Sequence, residues 1–171
     1  WNDKKDKKFK EAYFNRFHNT WHHGDFAEIK KTRGFIIHGR SDTTLNPGGV
    51  RLGTAEIYSE VEKFREIKES IVVGQSWEND VRIVLFIVMN EKFVLSEDLL
   101  KKIKLQIRKN ASPRHVPSKV IVVKDIPRTK SGKIVELAVK NTIEGNNIKN
   151  KEALANPKAL EQFKNLKELN I

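Results

Sequence analysis

The sequence predicts an α+β fold in which helices pack on a short β-sheet, and three observations carry that prediction. From Thr54 onward the hydrophobic pattern runs in the order helix, two strands, helix, strand, helix. The longest apolar run, Val81 to Met89, has the length of a strand and contains Arg82. From Ser96 to Asn110, Leu99, Leu100, Ile103 and Ile107 recur on one stripe of a helix.

Taken in chain order, Lys4 to Phe17 reads as a short helix with Phe9, Tyr13, Phe14 and Phe17 on one side. Trp21 to Ile29 and Gly34 to His38 read as two strands around a turn at Lys30–Gly34. The glycine-punctuated segment from Arg40 to Gly53 follows. Thr54 is the expected N-cap of a helix from Ala55 to Phe64, with Ile57, Val61 and Phe64 at helical spacing. Ser70–Val73 and Val81–Met89 read as strands joined by a loop at Gly74–Asp80. Ser96 caps the amphipathic helix, and Ser112–Pro117 reads as an extended loop. Val120–Val123 is a short buried strand, and Lys133 to Ile143 a helix stopped by Gly145. In the tail, Asn156 with Pro157 predicts a helix start, continued through Leu160, Phe163, Leu166 and Leu169. Residues 1–41 are aromatic-rich and different in character. The expected organisation is therefore 1–41 as an edge of another unit, 42–145 as a mobile domain and 146–171 as a helical tail.

A chain of 171 residues, 38% hydrophobic and 32% charged, can bury one ordinary core with appendages. No apolar run approaches the roughly 20 residues of a membrane helix. The absence of cysteine excludes disulfides and thiolate metal sites and fits a reducing, cytoplasmic setting. The opening Trp1-Asn-Asp-Lys-Lys reads as part of something longer. The net charge of +11 raises a nucleic-acid-binding α+β module as an alternative. Against it, the lysines are spread along the chain on the polar faces of helical patterns, as in Lys101–Lys109, and do not cluster with aromatics. His18, His22, His23 and His38 fit no zinc spacing.

Several segments could carry chemistry. In Pro127-Arg-Thr-Lys-Ser-Gly-Lys133 a proline ends a β-branched run and Lys130-Ser131-Gly132 forms a tight turn. A lysine there is either a solvated turn residue or an ammonium held out to an anion. Arg40 and Asp42, two apart after a strand, form a local ion pair or present both charges to one ligand. Asn46-Pro-Gly48-Gly49 is a plain loop or a place where backbone N–H groups meet a phosphate or a thin chain. Arg51 follows it, and Glu56 suits the positive end of a helix. Asp25, after Gly24, is a turn aspartate or an acceptor for sugar hydroxyls. No catalytic triad, paired carboxylates, dinucleotide fingerprint or Walker loop is present.

In sequence order, three motifs resemble the adenylate-forming acyl-CoA synthetases. They are Trp21-His-His-Gly-Asp25, then Gly39-Arg-Ser-Asp42 with Gly48-Gly-Val-Arg51 and Ala55-Glu-Ile57, then Arg128-Thr-Lys-Ser-Gly-Lys133. Leu45-Asn-Pro, Val50-Arg51 and the tail Ala153-Leu-Ala-Asn-Pro157 look like the acetoacetyl-CoA synthetase branch; an acetyl- or propionyl-CoA synthetase fragment is the alternative. The resemblance implies the C-terminal part of an acid–thiol ligase that joins a carboxylate to ATP and then passes the acyl group to coenzyme A. By position, Lys133 would be the adenylation lysine, Asp25 would hold the AMP ribose, and Arg40 and Arg51 would bind nucleotide. Asp42 would be the hinge, Gly48 and Gly49 would line the CoA tunnel, and Arg108 would meet the nucleotide part of CoA. ATP, Mg2+ and CoA would serve the whole enzyme, none of them permanently bound here. The implied partners are ATP or AMP, coenzyme A, acetoacetate and the missing N-terminal domain, with no nucleic acid or membrane; the piece alone is expected to be inactive. Trp21-His22-His23 departs from the aromatic-Arg-Thr usual before Gly-Asp, and Gly48 replaces a serine of acetyl-CoA synthetase.

Overall fold

The computed structural model describes residues 3–148 and 150–171. Its centre is a three-stranded sheet. β3 (Ile67–Trp77) pairs antiparallel with β4 (Asp80–Met89), and β4 pairs in parallel with β5 (Lys119–Val122). A parallel pair needs a crossover connection, supplied here by α3 (Glu97–Asn110). Ser96 caps that helix as expected: its hydroxyl accepts the Leu99 N–H at 3.2 Å.

The run from Val81 to Met89 is apolar because both faces of β4 are covered. Alternate residues point to opposite sides. Ile83, Leu85 and Ile87 join a cluster with Leu45, Ile57, Val61, Leu99, Ile103 and Ile107, which brings in α2 (Thr54–Val61) and α3. Val84, Phe86 and Val88 join Val139, Leu154, Leu160, Phe163 and Leu169, which brings in α4 (Glu136–Ile143) and the tail. Phe86 and Phe163 meet edge to face at 4.9 Å.

Residues 3–40 stand apart from this core. α1 (Lys7–Tyr13) carries Phe9 and Tyr13 into an aromatic knot in which Tyr13 stacks on Trp21 at 4.1 Å. β1 (Asp25–Ile29) and β2 (Phe35–Arg40) form an antiparallel hairpin. Ile29 pairs with Phe35 and Ala27 with Ile37, so these four share one face. Ile29, Phe35 and Ile37 on that face are 69%, 68% and 56% exposed, so nothing in the described residues covers it. Among the described residues no helix is long and apolar enough to cross a membrane.

Several expected boundaries moved. The first helix ends at Tyr13, because the chain turns so that Trp21 can close the aromatic knot. The first strand begins at Asp25 rather than Trp21, so Gly24-Asp25 opens a strand instead of ending one. Thr54 is not a cap. Gly53 takes that position because a Cβ there would lie 2.4 Å from the His38 carbonyl oxygen. The expected loop at Gly74–Asp80 is strand up to a tight turn at Glu78-Asn79, both in the left-handed region. The segment 112–117 contains a 3₁₀ turn at Pro113–His115. The last long helix starts at Glu136, since Ile134 bridges back to Arg128. The tail is not a continuous α-helix but 3₁₀ turns at Lys151–Ala153, Pro157–Phe163 and Lys167–Leu169. Asn156 makes no helix cap; its amide is spent on the segment that leads to Lys133.

Candidate functional site

Arg40 and Asp25 face each other across the hairpin, in register. The Arg40 guanidinium donates to Asp42 through Nε at 3.1 Å and Nη2 at 3.0 Å. This fork lowers the pKa of Asp42 and raises that of Arg40. Gly24 lets the guanidinium lie close: its φ is +92°, and a Cβ there would stand 3.4 Å from Arg40 Nη1. Asp25 takes a hydrogen bond of 2.7 Å from His23 Nδ1. Arg51 lies over the Phe26 ring at 5.0 Å. Asp25, Arg40, Asp42 and Arg51 thus gather where the hairpin meets the start of α2.

Gly48 and Gly49 form a second locus. Both have positive φ, 57° and 74°. The Gly48 N–H donates to both carboxylate oxygens of Asp80, at 2.9 and 3.0 Å. Asp80 has a lowered pKa because it also accepts from the Val81 backbone, then from Gly48. A Cβ on Gly49 would meet nothing within 4 Å. An open depression of about 440 Å³ beside this loop is lined by Pro47, Trp77, Asp80, Arg82 and Arg114.

The third locus is the lysine turn. Thr129 N–H donates to the Lys133 carbonyl at 2.9 Å, and Lys133 N–H donates to Thr129 Oγ1 at 3.0 Å. Gly132 has φ +83°. Ser131, Gly132 and Lys133 are exposed, and among the described residues the Lys133 ammonium has no ion-pair partner. The turn is clamped by Arg128, whose Nη1 donates to the Gly132 carbonyl at 3.0 Å and whose Nη2 meets Glu69 at 3.0 Å.

Glu69 lies near the start of β3, while Trp77, beside the Asp80 anchor, ends it. Eight residues of strand separate the two by about 27 Å. The lysine turn and the glycine loop therefore belong to opposite ends of one rigid hairpin. Arg108 is exposed in the last turn of α3 and makes no ion pair among the described residues.

Three features escaped the reading of the sequence. Arg114 reaches the glycine loop: its Nη1 would lie 3.5 Å from a Cβ on Gly48. Buried His115 bonds Ser112 Oγ through Nδ1 at 2.8 Å and Glu56 through Nε2 at 2.5 Å, which fixes the turn that presents Arg114. Tyr58 donates to Glu136 at 2.6 Å and accepts the Val72 N–H at 3.0 Å. Burial, then the neighbouring Glu136 charge, pushes the Tyr58 phenol well above its ordinary pKa. Only the hydrogen-bonded pair Ser112-His115 had a local signal, a spacing of three. Among the described residues no group of three or more His, Asp or Glu is placed to hold a metal ion.

Residues 56–133 match the AMP-binding enzyme C-terminal domain. The chain is 59% identical over 169 residues to the acetoacetyl-coenzyme A synthetase of Rhizobium meliloti strain 1021, covering 99% of this chain and 26% of that protein. It is 47% identical over 171 residues to the acetoacetyl-CoA synthetase of Xenopus tropicalis, covering 99% of this chain and 25% of that protein. The chain thus spans about a quarter of the length of these relatives. The structure of acetoacetyl-CoA synthetase from Streptomyces lividans superimposes with a TM-score of 0.87 at 37% identity, over 95% of this chain and 25% of that one. The motifs at Gly39–Arg51 and Arg128–Lys133, the sheet with helices on both faces, and these likenesses agree: residues 56–133 are an AMP-binding enzyme C-terminal domain, and the chain as a whole is similar to part of the adenylate-forming acyl-CoA synthetases.

Proposed function

We propose that this chain is the C-terminal part of an ATP-dependent acid–thiol ligase that converts acetoacetate, ATP and coenzyme A into acetoacetyl-CoA, AMP and pyrophosphate. The observation that carries the reading is the separation of an exposed lysine, unpaired among the described residues, from an open glycine loop at opposite ends of β3. One reaction centre cannot meet both at once. A domain that turns between two half-reactions meets them in sequence.

In the first half-reaction the carboxylate attacks the α-phosphate of ATP, and two anions must approach. The Lys133 ammonium lowers that repulsion and stabilises charge that develops in the transition state. Asp25, with Arg40 beside it, holds the nucleotide, the carboxylate taking the ribose hydroxyls, while Arg51 contacts phosphate in the thioester-forming state. Mg2+ enters with the phosphates of ATP. In the second half-reaction the domain has turned about Asp42 and Lys133 is withdrawn. Gly48 and Gly49 then line the passage of the pantetheine arm, where a side chain would obstruct it, and Arg108 meets the nucleotide part of CoA. Residues 42–145 form the turning unit, with 146–171 docked on it and 1–41 belonging to the N-terminal domain. The uncovered hairpin face at Ile29, Phe35 and Ile37 fits burial against that domain. The piece alone is inactive in this reading.

The test is Lys133→Ala in the full-length protein. Acetoacetate-dependent ATP–pyrophosphate exchange should fall by about 100-fold or more. Thioester formation from supplied acyl-adenylate and CoA should persist. Equal loss of both half-reactions would sink the assignment.

A further inference from the structure

A segment without helix or strand must find other partners for its backbone. Residues 124–130 lead from β5 to the lysine turn, and Pro127 keeps them out of the sheet. They find their partners in the tail. The Lys124 N–H donates to Gln162 Oε1 at 2.7 Å, and the Asp125 carbonyl accepts from Gln162 Nε2 at 2.7 Å. The Ile126 carbonyl accepts from Asn156 Nδ2 at 3.0 Å, and the Arg128 N–H donates to Asn156 Oδ1 at 2.8 Å. The Arg128 carbonyl accepts the Ala155 N–H at 2.8 Å, and the Lys130 N–H donates to the Ala153 carbonyl at 3.0 Å. Thr129 and Leu154 form a β-bridge. Leu154, Leu160 and Phe163 root the tail in the core beneath.

The other side of the turn is held by Arg128, between the Gly132 carbonyl and Glu69. The turn that carries Lys133 is thus gripped from the tail and from β3. Its exposed tip is free, but its base is not.

We infer that Asn156 and Arg128 are positioning residues for adenylation, and that residues 153–162 strap the lysine turn to the domain. The inference rests on the role proposed for Lys133. A lysine delivered by rotation must arrive at one place each time, and a misplacement of about 1 Å can cost about 100-fold in rate. Asn156 is suited to this because an amide donates and accepts at once. An aspartate would lose the donor to the Ile126 carbonyl. It would also bring a second carboxylate against Asp125, whose Oδ2 now accepts from Asn156 Nδ2 at 2.7 Å.

The experiment uses the full-length protein and measures both half-reactions for Asn156→Ala, Asn156→Asp and Arg128→Leu. Each should lower kcat for ATP–pyrophosphate exchange by about 10- to 100-fold. KM for ATP should stay within about twofold, and thioester formation from supplied acyl-adenylate should be unchanged. In a Lys133→Ala background, Asn156→Ala should cause no further loss of exchange, because it acts through that lysine. Unchanged exchange, equal loss in both half-reactions, or a further loss without Lys133 would each overturn the inference. If Lys133→Ala itself leaves exchange intact, the proposed function falls. If it abolishes exchange while Asn156→Ala does not lower it, only the strap falls. Should the Asn156 variants fail to fold, Glu69→Gln decides by the same split: it keeps an acceptor for Arg128 but removes the charge. About a threefold or larger loss confined to exchange supports the inference, and unchanged exchange overturns it.

Discussion

Asp80 shows how one carboxylate can anchor a glycine loop. It accepts the Gly48 N–H with both oxygens, which leaves Gly49 beside it with open space around its Cα. The depressed pKa of Asp80 means that the folded protein favours its charged form. A lowered carboxylate pKa contributes stability above the unfolded value of 3.8, and that contribution is lost as pH falls through the folded value. The anchor is therefore intact at neutral pH. In the full-length protein Asp80→Ala should raise the CoA KM while leaving ATP–pyrophosphate exchange unaffected; slower exchange would show that the loop serves the first half-reaction as well. The lysine turn was legible at this scale because proline, glycine and serine write a turn locally. Asn156 was not legible. It looked like a helix cap, and its true partners are set by a contact 28 residues away.

At the level of elements, Tyr58 joins α2 to α4 and to the free edge of β3. Its hydroxyl satisfies the Val72 N–H, which β4 cannot reach from the other side of the strand. Tyr58→Phe would leave that donor and the Glu136 carboxylate without their partner, at a cost of about 1–3 kcal/mol. A urea midpoint measured at neutral pH checks it. The raised phenol pKa gives a second readout. Its contribution is fully present below the unfolded value near 10.0 and declines as pH rises through the folded value. The gap between wild type and Tyr58→Phe should therefore narrow in alkali; a constant gap would argue against the assignment. The hairpin of β3 and β4 teaches a related lesson. Gly74, Gln75 and Ser76 read as loop because they are polar and flexible, yet all three are strand. Their polarity is met by specific partners: Arg82 donates across the strand pair to Gln75 at 2.9 Å and covers Trp77 at 3.7 Å, and the Ser76 N–H and hydroxyl donate to Glu144 at 3.0 and 2.9 Å.

For the whole molecule, the tail decides how the sheet is closed. Phe163 is fully buried against Phe86, and the α4 face of the sheet would be open without it. Phe163→Ala should destabilise the chain by about 3–5 kcal/mol through lost burial and a residual cavity. A shift of the unfolding midpoint with an unchanged denaturant slope would check it. A cost below about 1 kcal/mol would mean that the tail is not part of the cooperative unit.

The sequence by itself determined the α+β class, the apolar central strands, the capped helix at Ser96 and the turn that exposes Lys133. These features rest on local periodicity and on the dihedral preferences of proline and glycine, which act over a few residues. Only the tertiary structure decided that Gly48 is anchored by Asp80, that Arg114 stands beside it, and that the tail grips the lysine turn. Those contacts join residues far apart in sequence, 28 positions for Arg128 and Asn156 and 32 for Gly48 and Asp80, and a hydrogen-bonding side chain carries no local mark of which distant backbone group it will satisfy.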